Sequence, residues 1–371
     1  MNLNANKGSK VLVAMSGGVD SSVAAVLLKT QGFEVIGIHL QLWNQGEASL
    51  ESTGGRCCSL ADSNDARRVC DRIEVPFYVI NARDLFAEKV VDNFVHEYLS
   101  NRTPNPCIQC NRHIKFDYLY RKADELGCEF VATGHYSRIH LDPVSGVASL
   151  MKASDPQKDQ SYFLFPMDQK TLQRTLMPLG GFTKPVVRRL AQEFGLSVAS
   201  KDDSQEICFI GEDGYKDFVE SRSTPALRPR GTICTEEGET IGEHEGLFRY
   251  TIGQRKGLQL AKKGTENFFV IGSDPVTHKL IVGPESGLFK KKLMASDVNW
   301  IRPVSPLKGL PCKAKIRSRH DEASCLVTSF ENGILQVEFD EPQRAITPGQ
   351  AVVFYDGEEV LGGAFIDSAV D

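Results

Sequence analysis

Three groups of residues in this chain have types and spacings suited to chemistry. The first is Ala14–Ser22, AMSGGVDSS. Gly17 and Gly18 can take backbone angles that other residues resist. Ser16 and Ser21 supply hydroxyls, and Asp20 supplies a carboxylate. A short apolar run, Val11–Val13, precedes the stretch, and an Ala- and Leu-rich run, Val23–Leu28, follows it. The pattern reads as strand, glycine turn and helix start. The unpaired amides at such a helix start form a site for an anion. The stretch lacks the Gly-Lys-Ser/Thr ending of a Walker loop and the spacing of a dinucleotide fingerprint. The second group is Asn101–Phe116, NRTPNPCIQCNRHIKF, where Cys107 and Cys110 form a C-x-x-C pair. Arg102, Arg112, His113 and Lys115 surround the pair with positive charge, an environment that lowers a thiol pKa. Pro104 and Pro106 predict an extended loop. No second C-x-x-C follows, so sulfur or redox chemistry is expected rather than structural zinc. The third group is Cys208, in the loop Lys201–Glu212 between Ile207 and Phe209. Alone it would mean little.

Alternating elements must position these groups. Strands are expected at Lys10–Met15, Glu34–Leu42, Pro76–Ile80 and Glu129–Thr133, and helices at Ser22–Thr30, Leu60–Ile73, Leu85–Leu99 and Ile114–Leu126. Such alternation predicts a doubly wound parallel sheet with ligands at the carboxyl ends of its strands. Two loops fall there: the SGGVDSS turn, and Thr133–Tyr136, where Gly134 would let a ligand approach the backbone. Leu40, at the end of the second strand, could pack on an adenine ring or simply belong to the core. Lys158-Asp159-Gln160-Ser161 precedes an aromatic cluster and could touch phosphate or base edges, or cap a turn over Tyr162 and Phe163. A helix is expected over Thr183–Leu196, with Lys184, Arg188 and Arg189 on a solvated basic face. After Gly211 the alternation gives way to short strands, Gly turns and Pro turns, an all-β pattern. Three domains are expected: 1–213, a small β-rich module at 214–283, and a β-barrel at 284–371. Basic residues cluster in both later segments, Arg249, Arg255, Lys256, Lys262 and Lys263 in one and Lys313, Lys315, Arg317 and Arg319 in the other. Alternation along a strand would place such charges on one face, suited to an RNA backbone.

Bulk properties set limits. The 371 residues exceed one typical core. No stretch approaches the roughly 20 apolar residues of a membrane span, and the first residues lack the apolar core of a secretory signal. A cytoplasmic location is expected, with no membrane partner. A net charge of −5 means that nucleic-acid binding must come from local patches. Ten cysteines in a cytosolic chain are expected to be mostly reduced. The adjacent pair Cys57-Cys58 and the solitary Cys70, Cys128, Cys234, Cys312 and Cys325 read as small semi-buried residues.

SGGVDSS after a strand resembles the pyrophosphate loop of the N-type ATP pyrophosphatases (the PP-loop superfamily), which cleave ATP between its α and β phosphates. Four motifs stand in order in the first part of the chain: SGGVDSS, TPNPCIQCN with IKF, ATGHY and KDQSYFL. DSQEICFIGE, GLFRYTIGQRKGL and TPGQAVVFY follow. Together they closely resemble the tRNA-specific 2-thiouridylases, from about Val11 to Gly363. That resemblance implies a PP-loop domain, a small central domain and a C-terminal β-barrel. It implies replacement of the C2 oxygen of a wobble uridine by sulfur. ATP, with Mg²⁺, would sit on Ala14, Met15, Ser16, Gly17, Gly18, Val19, Asp20 and Ser21, with Leu40 and Gly134 near the adenosine. Asn105, Pro106 and Cys107 would receive the base. Lys158, Asp159, Gln160, Arg319 and His320 would contact tRNA. Cys208 would carry a persulfide and Cys110 would resolve it as a disulfide. The sulfur would come from a cysteine desulfurase or a sulfur-carrier protein, and the chain is expected to act as a monomer.

One position departs from the resemblance. Many members carry aspartate where this chain has Cys107. The substitution gives an alternative in which Cys107, Cys110 and Cys208 hold a [4Fe–4S] cluster with one open iron. Rival readings are another adenylating PP-loop enzyme, such as a 4-thiouridine synthase, a tRNA-lysidine synthase or an amide-forming ligase. A scaffold with a degenerate ATP site is a rival of a different class. The paired loop cysteines argue against the ligases, and the intact SGGVDSS argues against the scaffold.

Overall fold

The computed structural model describes residues 7–43, 60–203, 207–211, 214–258, 260, 267–302 and 309–371. Cys57, Cys58, Lys262 and Lys263 lie outside them. The chain opens with β1 (Lys10–Ala14), α1 (Val19–Thr30), β2 (Glu34–Gln41), α2 (Leu60–Arg72) and β3 (Phe77–Asn81). Next come α3 (83–99) and α4 (106–125), then β4 (Phe130–Ala132). The hairpin β5 (Arg138–Leu141) and β6 (Ala148–Met151) precedes α5 (Gln169–Gln173), β7 (Thr175–Leu176) and α6 (Lys184–Glu193). Strands 3-2-1-4-7 form one sheet in that order, and every pair in it is parallel. β1 is central because Val11, Leu12 and Val13 are fully buried, as a strand covered on both faces must be. The chain runs outward to β3 on one side and then returns to β4 on the other. The strand order therefore reverses between β1 and β4, and a crevice opens at their carboxyl ends.

Two apolar clusters sandwich this sheet. Val23, Val26, Leu28 and Val69 pack on one face with α1, α2 and α6. On the other face Leu12, Ile38, Val131, Tyr162 and Phe165 join Val353 and Tyr355 of the C-terminal part. Tyr162 donates its hydroxyl to Ala351 O at 2.9 Å, which seals that junction.

The chain continues through α7 (Gly214–Ser221), β8 (Gly231–Cys234), β9 (Thr240–His244), β10 (Phe269–Asp274) and β11 (Lys279–Gly283). These four strands form a separate sheet in the order 10-11-8-9. The last six strands are β12 (Phe289–Trp300), β13 (Leu310–Lys315), β14 (Ala323–Glu331), β15 (Ile334–Arg344), β16 (Ala351–Asp356) and β17 (Glu359–Val370). They follow the order 12-15-14-13-16-17, and β17 pairs back onto β12 to close a six-stranded barrel. Closure removes the exposed edges that would otherwise invite pairing with another chain. The β5–β6 hairpin, early in sequence, adds to β17 of this barrel.

Three local expectations are corrected. Pro106 does not prolong a loop but opens α4, because its fixed φ suits the first turn and its missing N–H has no acceptor there. Only 101–105 stays outside the helices, so Cys107 and Cys110 sit on a helix, and its turns widen from Cys110 to Tyr118. Cys312 and Cys325 are not solitary: they lie opposite each other on β13 and β14, with their sulfurs 3.6 Å apart. The basic row at 313–319 does not share one strand face, since β13 ends at Lys315. Arg317 turns inward to donate to Ala345 O at 2.7 Å and Thr347 Oγ1 at 2.6 Å.

Candidate active site

The glycine turn of Ala14–Ser21 leads directly into α1 at the crevice. Gly17 has φ +77°, and a Cβ there would meet the backbone oxygen of Asp62 at 2.2 Å. The start of α2 thus presses on this turn and leaves room only for glycine. Gly18 is different. It caps α1 with φ −95°, and a Cβ there would meet only Ser16 Oγ, at 3.5 Å. Ser21 Oγ accepts from the Ser16 N–H at 3.1 Å, and Ser22 Oγ donates to Gly18 O at 2.8 Å. The turn is therefore braced by its own hydroxyls. At its base the Met15 N–H donates to Ile38 O at 2.7 Å, and buried His39 Nδ1 lies 2.8 Å from Met15 O. Ala14 ends β1, and Val19 is buried at the first turn of α1. Leu40, near the end of β2, is half-buried between two clusters.

Gly134 follows β4 on the other lip of the crevice. A Cβ there would meet Ser21 N at 2.7 Å and the Asp20 carbonyl carbon at 2.9 Å. What approaches this glycine is the start of α1 itself. Next to it His135 is buried, with Nδ1 2.7 Å from Thr133 Oγ1 and Nε2 3.3 Å from Lys115 Nζ. Burial, and then the positive charge of Lys115, hold this imidazole well below its ordinary range, so it is neutral. Lys115 has no lone pair to offer, so Nε2 accepts and Nδ1 carries the proton.

Charged side chains surround the turn. Lys184 Nζ lies 2.8 Å from both oxygens of Asp20, and Tyr136 donates its hydroxyl to Asp20 Oδ1 at 2.8 Å. Burial, and then the charge of Asp20, push the Tyr136 phenol up, so it stays a donor. Asp203 accepts from Lys184 at 2.6 Å, from Lys158 at 2.7 Å and from Arg188 at 3.2 Å. Burial opposes its ionisation, but Lys158 and Lys184 hold its carboxyl below the usual range. Lys201 donates to Gly17 O at 3.0 Å, to Asp62 at 2.6 Å and to Asp65 at 2.7 Å. The sequence pattern predicts a solvated face for Lys184; the structure buries it, because its helix starts against the turn. A lysine beside a proline at a helix start is the only signal the sequence offered, and it is a weak one.

The cysteines lie on the same framework. Cys107 is exposed in the first turn of α4. Cys110, one turn on, and Cys208, 98 positions later, are both half-buried against one cluster with Phe86, Phe94, Phe209 and Ile114. Helix α4 therefore links this cluster, through Cys110, to the glycine turn, through Lys115 and His135. The positive charge expected around the thiols is directed elsewhere. Arg102 binds Glu97 at 2.8 Å and Asp367 at 3.3 Å, while Arg112 binds Asp297 at 2.9 Å. Among the described residues, no group of three His, Cys, Asp or Glu side chains is placed to hold a metal ion.

Asn105 and Pro106 begin α4 after a loop gripped by the two later segments. Gln350 donates to Thr103 O at 2.9 Å, the Thr103 N–H donates to Pro348 O at 2.8 Å, and Thr103 Oγ1 lies 3.2 Å from Thr251 Oγ1. The TPGQ stretch thus positions the C-x-x-C helix, a role the sequence did not reveal. Asp159 spends its oxygens on the amides of Ala153 and Ser161 and on the Ser161 hydroxyl, and Gln160 exchanges hydrogen bonds with the Tyr136 backbone. Arg319 is exposed and His320 half-buried in the β13–β14 turn.

Comparison with known proteins follows the same three-part division. Residues 9–212 match the family model "tRNA methyl transferase HUP domain", 216–284 "tRNA methyl transferase PRC-barrel domain", and 290–366 "Aminomethyltransferase beta-barrel domain". The chain is 48% identical over 368 residues to a tRNA-specific 2-thiouridylase MnmA of Geotalea uraniireducens, covering 99% of this chain and 97% of that protein. It is 45% identical over 361 residues to the protein of that name in Clostridioides difficile, covering 97% of this chain and 99% of that one. Identity at this level along the full length of both chains means that the chain belongs to the tRNA-specific 2-thiouridylase family.

Proposed function

We propose that this protein uses ATP to replace the C2 oxygen of a wobble uridine in tRNA with sulfur. The observation that carries this reading is the double attachment of α4. One helix joins the glycine turn, through Lys115 and His135, to an apolar cluster against which two cysteines from distant parts of the sequence both pack. ATP would occupy Ala14–Ser21, with Leu40 and Gly134 at the adenosine. The base would be received by Asn105, Pro106 and Cys107. Lys158 to Gln160 and Arg319-His320 would lie along the tRNA, Asp159 and Gln160 acting through the backbone they hold in place.

The uridine C2 carbonyl has a poor leaving group, and adenylation converts its oxygen into AMP. A bond forms from O2 to the α-phosphorus as the bond to the β-phosphate breaks. Pyrophosphate leaves with the bonding pair, and the N3 proton passes to water. The amides at the start of α1 are suited to the charge that develops. Ser16, Ser21 and Asp20 are oxygen donors of the kind Mg²⁺ prefers. When bound, that ion would neutralise phosphate charge. A persulfide on Cys208 then attacks C2 and expels AMP. Cys110 attacks the Cys208 sulfur, freeing 2-thiouridine and leaving a Cys110–Cys208 disulfide that two electrons from cellular thiols reduce. The persulfide sulfur would come from a cysteine desulfurase or a sulfur-carrier protein. In the alternative route Cys107, Cys110 and Cys208 would hold a [4Fe–4S] cluster, and no step is assigned to one.

Nucleoside mass spectrometry tests the proposal. Wild-type protein with tRNA, ATP, Mg²⁺ and a persulfide donor is expected to yield 2-thiouridine, and none without ATP. Intact tRNA lacking 2-thiouridine under the full mixture would overturn it.

A further inference from the structure

Two thiols face each other at the rim of the barrel, and the thiolation outlined above uses neither. Cys312 and Cys325 are directly opposed in the antiparallel pair β13–β14, with their sulfurs 3.6 Å apart. Residues opposed in this way have Cα atoms about 4.5–5.5 Å apart. A disulfide spans Cα separations of about 4.4–6.8 Å, so the backbone already suits one. Both side chains lie on the apolar face of their strands. Cys325 belongs to the barrel core with Val327, Leu335 and Phe339, and Cys312 packs against that core, half-buried. The pairing around Cys312 is slack. β16 joins β13 only from Lys313 onward, so among the described residues Leu310–Cys312 pair with β14 alone. Pro311, which has no N–H to offer a second neighbour, suits such an edge. The two thiols also bracket the turn 316–322, which carries Arg319 and His320.

We propose that Cys312 and Cys325 are a dithiol that closes into a reversible cross-strand disulfide when it meets a low-molecular-weight disulfide. Exposure sets the order of events. Cys325 is only 4% exposed. Its hydrogen bond with Cys312, and then burial, push its thiol far up, so it keeps its proton. Cys312 is the sulfur that an outside reagent reaches. As thiolate it attacks one sulfur of the reagent, whose S–S bond breaks, and one thiolate leaves with the electron pair. Cys325 then attacks the Cys312 sulfur of this mixed disulfide and expels the second thiolate. The two cysteine protons end on the two thiols released. The dithiol thus loses two electrons and the reagent gains two. The sulfurs must close from 3.6 Å to about 2.05 Å. Side-chain rotation and the free edge of β13 supply that shift without parting the strands. The new bond makes 312–325 a covalent loop around the turn at Arg319, and excess thiol reopens it by the reverse exchange.

The simpler alternative is a permanent pair of thiols that fills the end of the barrel. Glutathione disulfide, applied to the full chain in buffers of rising disulfide-to-thiol ratio, separates the two when followed by acid quench, alkylation and peptide mass mapping. Wild-type protein is expected to yield a Cys312–Cys325 linked peptide, and to lose it when excess glutathione is restored. Mapping by peptide keeps this link apart from one between Cys110 and Cys208. Cys325→Ser should stop at a glutathione adduct on Cys312, and Cys312→Ser should leave Cys325 unmodified. In reduced wild-type protein, iodoacetamide should label Cys312 at least about tenfold faster than Cys325. Both thiols free at the highest ratio, a lasting adduct on Cys312 without the link, or Cys325 labelled as fast as Cys312 would each overturn the proposal. The wild-type measurements carry the test if a variant does not fold.

Discussion

Gly17 and Gly18 are adjacent and identical in type, yet the structure predicts opposite consequences of replacing them. Gly17→Ala places an L side chain at φ +77°, in the left-handed region, at a cost of about 1–2 kcal/mol. Its Cβ would also lie 2.2 Å from Asp62 O. That neighbour is backbone at the start of α2, so it cannot swing aside, and relief requires the helix to move. Overpacking of this kind adds about 1–3 kcal/mol. The expected destabilisation is therefore about 2–5 kcal/mol. At about 2–4 °C per kcal/mol for a domain of 150–250 residues, the unfolding temperature should fall by about 4–20 °C. Gly18→Ala has φ −95° and no close neighbour, so it should cost no more than about 1 kcal/mol, the scale of a changed helix cap. Its methyl group would stand at the phosphate side of the turn, so ATP affinity should fall while stability holds. Differential scanning calorimetry, following the transition that ATP raises, reads both. Gly17→Ala as stable as wild type, or Gly18→Ala less stable than Gly17→Ala, would refute the assignment of one glycine to the fold and the other to the ligand.

Three further outcomes are expected. Cys110→Ser and Cys208→Ser should each abolish thiolation, and oxidised wild-type protein should yield a Cys110–Cys208 cross-linked peptide by mass spectrometry; full activity in either variant would contradict the two-cysteine route. Gly349→Ala, at φ +87° with a Cβ 2.8 Å from Thr103 N, should displace the loop before α4 and slow thiolation at least tenfold while ATP binding is unchanged, which parallel rate and binding assays check. Stability should fall as pH drops below about 6.5: burial holds His39, His113, His135 and His244 below their ordinary range, so the unfolded chain binds more protons than the folded one. His135→Asn should flatten the pH dependence of the melting temperature by one histidine's share, and an unchanged slope would show that His135 is not neutral in the folded state.

The sequence by itself determined the parts of this protein that depend on local pattern. Val11–Val13, Gly17-Gly18 and the Ala-rich run after them specify a strand, a turn and a helix within some twenty residues, so the local frame of the candidate site was legible. Most of the parallel sheet was legible for the same reason, since the four expected strands match β1 to β4 within one residue at each end, while the two-residue β7 was too short to signal itself. The loss of alternation after Gly211 announced β structure, in which a C-terminal barrel was expected, but the strands that close it did not show, because β12 meets β17 through pairings some seventy residues apart. The start of α4 was misread because a proline reads as a breaker until the chain around it shows it at a first turn. Only the tertiary structure decided which charges matter. Lys184 and Arg189 look alike in sequence, yet α6 turns one against Asp20 and leaves the other on the surface. The packing of Cys110 and Cys208 against one apolar cluster, and the grip of Gln350 on Thr103, likewise depend on contacts between distant segments. Local propensity carries no record of such contacts, because each arises only when the chain has buried its apolar surface.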